Sequence, residues 1–455
     1  MSAWAPIAGT AVEQLAGVTP GVARLFVLGP VPIEPAAWAA DLPDGWSAAP
    51  GGHHLRVGDR VWPVWHFLRA GGPPLDVYHA GVWFGDATDP ERCRLALAVV
   101  GELVADAFDG GQVLATPATT GRDLFERSIL DERQWPVLSL DAQELIRSTS
   151  GQGRIELFDH HGGPMLGLVT VDARLAYAAL CRQLPAGVPS YDHGDSYEGM
   201  ARARYRIVGT VPAGWHGPGL FGVHAGDAWQ YPREPGEPFD CWVDGAELHV
   251  LDVLALHEWR PRIVERLIWP NYIYRGPLDT WAERLIRVRD AIAHRDAVGA
   301  VEPGVAELAQ GAVRAIILHA IGAFHGRAHT RTRSGSTPPA GARNIRLEGS
   351  QVVWETGSTQ AMPELAHPEW AAAIWARARS RLLHAPTGQR GTAAGMLHVP
   401  FGQVVGCHTD AIWLTADPRW PDDGRAGRFR VKNHVPGPVP APRTMTELHQ
   451  LAGGR

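Results

Sequence analysis

The sequence predicts an α/β (α+β) protein of more than one domain. The length of 455 residues is more than one hydrophobic core usually holds. Short runs of β-branched and aromatic residues between turn signals read as strands. They alternate with apolar-periodic stretches long enough for helices. Charge is uneven as well: residues 1–150 hold 18 acids against 10 Arg, whereas 311–347 hold six Arg and no acid, and 370–409 four Arg and no acid.

Taken in order, residues 1–50 are rich in Ala, Pro and Gly and predict loops with short strands. "RVWPVWHFLR" and "DVYHAGVWFGD" predict strands. "DPERCRLALAVVGELVADAF" predicts an amphipathic helix with Asp89 as cap, Pro90 at its first position and Gly110-Gly111 at its end. Two shorter helices follow, around "GRDLFERSI" and "DAQELIRS". Residues 1–150 thus read as one acidic α/β domain.

"GQGRIELFDHHGGPM" is a glycine-punctuated connector. Then "LGLVTVD" predicts a strand and "ARLAYAALCRQL" a helix. "RARYRIVGTVP" and "ELHVLDV" predict strands, and "LDTWAERLIRVRDAIAH" and "VAELAQGAVRAIILHAIGAFHG" helices. "HTRTRSGSTPPAGARN" reads as a polar loop, "NIRLEGSQVVWET" as a hairpin, and "PEWAAAIWARARSRLL" as a helix. "VVGCHTDAIWL" is a strand pair with His408-Thr409-Asp410 at its crest. Residues 151–435 form a second domain, and 436–455 a Pro-rich tail with little capacity for a core.

The net charge is −6 and the chain has 18 Trp. Lys432 is the only lysine, so Arg stands wherever else a fixed cation is needed. The two basic stretches are the local footprint that a polyanion needs; a solvated face paired with the acidic N-terminal region is the alternative. Cys93, Cys181, Cys241 and Cys407 are far apart in sequence, which excludes a CxxC zinc or redox motif. His53-His54 and His160-His161 have no ligands at zinc spacing and read as loop residues. No charged-then-apolar leader and no membrane-length apolar run are evident, so a reducing, cytoplasmic setting without membrane contact is expected.

Two acids stand out. Asp172 ends an apolar strand and Asp410 tops a hairpin. Carboxylates at such positions can converge on a hard divalent cation, and Mg²⁺ takes few protein carboxylates and leaves room for phosphate oxygens. Taken singly, each Asp reads first as a helix cap or turn residue.

The order of motifs resembles the family B DNA polymerases, especially the protein-primed kind of phages and linear plasmids. Their first motif is an Asp at a strand end with a Tyr five residues on; here it is "DARLAYA", with Asp172 and Tyr177. The second is a helix with a cation, then Asn, Tyr and Gly; "RAIILHAIG" keeps Arg314 and Gly322, while Leu318 and Ile321 replace the Asn and Tyr. The third is Asp-Thr-Asp on a hairpin, here His408-Thr409-Asp410. Of the family's Tyr-x-Gly-Gly connector, "HHGG" keeps only the glycines. The resemblance spans roughly residues 155–435.

It implies a polymerase palm with fingers helices, preceded by a degenerate RNase H-like exonuclease domain. Asp172 and Asp410 would be catalytic and would bind Mg²⁺ or Mn²⁺. Tyr177 would pack under the sugar of the incoming nucleotide. Arg314 would hold the triphosphate, with Arg287 or Arg289 as a second contact. The implied partners are dNTPs, a DNA template with a primer or terminal protein, and a processivity or replication partner.

His408 removes one carboxylate, and an imidazole suits Mg²⁺ poorly. The one N-terminal match to the exonuclease motif is Asp89-Pro90-Glu91, better read as a helix start. Only 45 residues follow Asp410, short for a thumb; "GRFRVKNH", with Lys432, has the alternating bases of a strand that contacts a nucleic-acid backbone. The expected function is templated nucleotide transfer. The alternatives are an inactive polymerase-like DNA-binding scaffold and an untemplated nucleotidyltransferase.

Overall fold

The computed structural model describes residues 2–6, 24–28, 45–48, 53–57, 60–69, 74–85, 87, 89–129, 135–159, 162–197, 199, 202–225, 228–270, 276–326, 330–335, 343–348, 351–357 and 366–453. The chain divides into two compact units, 1–130 with 283–320, and 131–282 with 321–455. The first 130 residues therefore group with a later stretch, and 131–150, expected in the N-terminal domain, belong to the second unit.

In the first unit a sheet runs Ser2–Pro6, Arg24–Leu28, Leu75–His79, Arg60–Arg69, Trp46–Ala48, with His53–Val57 also pairing to Arg60–Arg69. The first three strands are parallel and the others antiparallel. His53 and His54, expected in a loop, lie in a strand. The helix Pro90–Ala107 buries Cys93, Ala96, Leu97, Val100 and Val104, one face at helical spacing. Asp89 caps it by accepting from the Glu91 and Arg92 amides at 3.0 and 3.1 Å. The helix Pro117–Glu126 opens on a Thr116 capping box. At Gly121 an added Cβ would meet Ala320 Cβ at 2.6 Å, so the glycine is what allows close helix approach.

The two largest sheets described in the second unit are antiparallel, and its helix Pro368–Leu383 is buried. One sheet runs Pro238–Asp244, Ala203–Thr210, Arg262–Ile268, Ser190–Asp192. The other runs Phe429–Val439, Met165–Ala173, Ala411–Leu414, Val404–His408, Ile155–Leu157. Trp370 and Ala371–Ile374 are buried on the helix, which lies against Leu140–Thr149, Ala176–Leu180 and Gly245–Val253.

Several elements differ from expectation. "ELHVLDV" lies in a helix, Gly245–Val253, because Asp244 and Glu247 form a capping box that starts it. The helix after Asp172 is only Ala176–Leu180, entered through a left-handed Leu175 (φ 41°). It stops there because Arg377 takes the carbonyls of Leu180, Arg182 and Gln183. Thr330–Gly335, expected as loop, is a strand paired with Gln351–Gly357, which also forms the expected hairpin with Arg343–Glu348. The Pro-rich tail joins a core: Leu448 of the helix Met445–Leu451 is fully buried with Met165, Leu168, Val405, Trp413 and Val439.

The helix Pro303–His325 is, against expectation, long and apolar enough to cross a membrane, with half of its most apolar stretch buried inside the protein. Core helices of folded proteins share that composition.

Candidate active site

The site is built outward from the buried helix Pro368–Leu383. Its Arg379 pairs in two places with Glu247, Nε to Oε1 at 2.8 Å and Nη2 to Oε2 at 3.2 Å. Nη1 donates to the carbonyls of Ser150 and Gln152 at 3.0 and 2.9 Å. This clamps the loop leading to Gly153 and Arg154.

Arg154 is fully buried, pairs with Glu156, and lies 4.1 Å from the centre of the Tyr231 ring. Burial pushes the Glu156 carboxyl up, against the pull of Arg154. The Arg154 carbonyl accepts from the Thr409 amide at 2.7 Å, and that bond holds the hairpin crest.

The crest is tight. Thr409 is left-handed (φ 56°) and the Asp410 amide returns to the His408 carbonyl at 2.8 Å. Thr409 Oγ1 donates to Asp410 Oδ1 at 2.9 Å. From there the register sets Ala411 opposite Asp172, and the Ala173 amide donates to the Asp410 carbonyl at 3.0 Å. Asp172 and Asp410 are thus brought together at one end of neighbouring strands, whose usual spacing is about 4.8 Å.

Two partners of Asp172 escaped sequence reasoning. Arg430 stands opposite it on the other flanking strand, and its Nε donates to Oδ1 at 2.9 Å. Lys432 sits at a register break between Val431 and Asn433, with Nζ 3.6 Å from Oδ2. A bulge of this kind re-aims a side chain. The Asp172 side chain is 10% exposed, that of Arg430 35% and that of Lys432 55%, so the cations cover the acid from the solvent side.

His408 meets the C-terminal helix, with Nδ1 3.1 Å from His449 Nε2 and the two rings stacked at 5.0 Å. Burial, and then His449, hold its imidazole below the usual range, against the pull of Asp410. This position serves the tail helix.

Tyr177 is buried on the short helix after Asp172, where its carbonyl accepts from Cys181 Sγ at 3.1 Å. Gly322 is exposed, and an added Cβ would meet nothing within 4 Å, so glycine is not required there for space. Arg287, Arg289 and Arg314 lie in the first unit. Arg287 and Arg314 are exposed, and Arg289 pairs with Asp290 at 2.8 Å, so the two helix cations do differ in surroundings. His160 and His161 of the connector lie outside the described residues.

The acids are hard oxygen donors, the chemistry Mg²⁺ or Mn²⁺ takes. Among the described residues no group of three or more His, Cys, Asp or Glu could hold a metal. The donor set therefore suits a cation that completes its shell with water and phosphate oxygens, once Arg430 and Lys432 yield Asp172. It does not suit a closed protein cage.

Solved structures with a similar fold exist. The chain matches phi29 DNA polymerase complexed with primer-template DNA and incoming nucleotide substrates, with a TM-score of 0.53 and 13% identity, over 93% of this chain and 79% of that one. It matches the post-translocation binary complex of the same polymerase with primer-template DNA at a TM-score of 0.54 and 13% identity, over 93% and 78%. The complex of that polymerase with single-stranded DNA gives 0.53 and 14%, over 93% and 78%. No protein-family model and no curated protein matches the chain. The fold is polymerase-like and mixed α/β.

Proposed function

We propose that this chain is a divergent DNA polymerase of the protein-primed family B type, which transfers nucleotides from dNTPs to a primer or terminal-protein hydroxyl on a DNA template. The observation that carries the reading is the register that sets Asp172 opposite Ala411, the residue after Asp410. Asp172 and Asp410 are the two acids the motif order singled out, on a fold shared with a polymerase solved on DNA. They would hold the cations, which would activate the attacking hydroxyl and offset charge on the leaving pyrophosphate. Arg430 and Lys432 neutralise Asp172 in the free protein. Tyr177 would stand under the sugar, and Arg314, with Arg287 or Arg289, would meet phosphate oxygens in two-pronged contacts.

A second reading, an inactive DNA-binding scaffold, is favoured by those same ion pairs on Asp172 and by the commitment of His408 to His449. Primer extension with Mg²⁺ and with Mn²⁺ separates the two. Wild-type protein is expected to extend a primer, and Asp172→Ala and Asp410→Ala to extend at least a hundredfold more slowly, about 2.7 kcal/mol of barrier. Protein that binds the primer-template but extends it under neither ion establishes the scaffold. Variants as fast as wild type would remove both acids from the mechanism.

A further inference from the structure

Both carboxylate oxygens of Asp172 are taken, Oδ1 by Arg430 Nε at 2.9 Å and Oδ2 by Lys432 Nζ at 3.6 Å. A divalent cation and these two side chains therefore compete for the same two atoms. A cation arriving beside them also meets two fixed positive charges, which repel it. Asp172 can serve a metal only when its basic partners move.

The two basic side chains are placed to move. They stand on Phe429–Val439, an edge strand of its sheet among the described residues, and 431–434 on that strand are all exposed. Arg430 hydrogen-bonds Asp172 through Nε alone among the described residues, leaving its Nη groups for a second anion. Asp422 also draws Arg430, but its own ion pair is with Arg174 at 2.8 Å. Lys432 is more than half exposed and rides on the register break. Solvent-exposed ion pairs are held by little energy, so trading a carboxylate for a phosphate costs little. A guanidinium grips phosphate oxygens in pairs, and an ammonium meets them as a point charge.

We propose that Arg430 and Lys432 gate the cation site: the phosphates of bound DNA draw both side chains off Asp172, and the freed carboxylate then takes the cation. The inference rests on the polymerase reading and adds an order of assembly to it, DNA before metal. Coupling of this kind is reciprocal, so the cation tightens DNA binding by the same factor.

Mn²⁺ binding to the full chain tests it, read from the loss of the free-ion electron paramagnetic resonance signal. No dNTP is present, so activity does not enter the readout. Asp172→Asn defines the share of binding that belongs to Asp172 and separates it from Mn²⁺ held by the DNA itself. In wild type that share is expected to be at least tenfold tighter with saturating primer-template DNA than without. In Arg430→Gln combined with Lys432→Gln it should be at least tenfold tighter than wild type without DNA, and DNA should add nothing further. Far-UV circular dichroism checks that each variant is folded. Equal wild-type affinity with and without DNA, a DNA-free double variant no tighter than wild type, or coupling that survives in the double variant overturns the gate. Primer extension by the same protein then leaves the polymerase reading standing. The expected coupling in a protein that extends no primer keeps the gate and removes the polymerase reading. No Asp172-dependent Mn²⁺ binding in any sample removes both the gate and the cation role of Asp172.

Discussion

At Gly153 an added Cβ would stand 2.7 Å from Thr409 Cγ2 and 3.3 Å from Thr409 Cα, closer than side chains pack. Any side chain there pushes on the residue whose amide is anchored to Arg154 and whose hydroxyl orients Asp410. Gly153→Ala should therefore cost about 1–3 kcal/mol in urea denaturation, the usual range for overpacking. On the polymerase reading it should also slow primer extension, while a substitution at exposed Gly322 should leave stability nearly unchanged. The carboxylates themselves were legible at this scale, since a strand end and a turn crest are local features. Their partners were not. Arg430 is 258 residues from Asp172, His449 is 41 from His408, and no spacing rule reaches across a sheet.

Elements were legible where local chemistry and burial agree. Pro90–Ala107 carries its cap, its first-turn proline and one apolar face in sequence order, and it forms as expected. "ELHVLDV" shows the opposite case. Its alternation suggests a strand, but the Asp-x-x-Glu three residues apart just ahead is a helix-start signal that was available and outweighs it. The helix after Asp172 is short for a reason outside itself, the Arg377 side chain from a helix about 200 residues on. The C-terminal helix was hidden by the prolines before it. Leu448 is its single fully buried side chain, so Leu448→Ala should destabilise the second unit by about 2–5 kcal/mol in urea denaturation. It should also loosen the stacking of His449 on His408, visible as a shift of their imidazole resonances.

For the molecule as a whole, the polymerase-like fold was legible through the order of its motifs, while the grouping of 283–320 with the N-terminal unit was not, because nothing local marks it. Stability in acid is another whole-chain property. His384 Nδ1 and His398 Nε2 lie 2.8 Å apart, a hydrogen bond that needs one ring to act as acceptor. Burial lowers both; His398, His249 and Arg381 further lower His384. With folded values below the unfolded value of about 6.5, the unfolded chain binds more protons, so their contribution is present above that pH and lost as pH falls through it. Urea midpoints should drop from about pH 7 to about pH 5, and His398→Gln should make the drop shallower. An equal slope in the variant would assign the acid sensitivity elsewhere.

The bulge that carries Lys432 has a practical consequence. Because the sequence has one lysine, the chain has one side-chain primary amine, and it stands against Asp172. Acylating reagents need that nitrogen reachable, and the contact with Asp172 opposes that. The rate at which a single acyl group appears on the Lys432 peptide by mass spectrometry therefore reads how often this contact opens, with no probe to be engineered in.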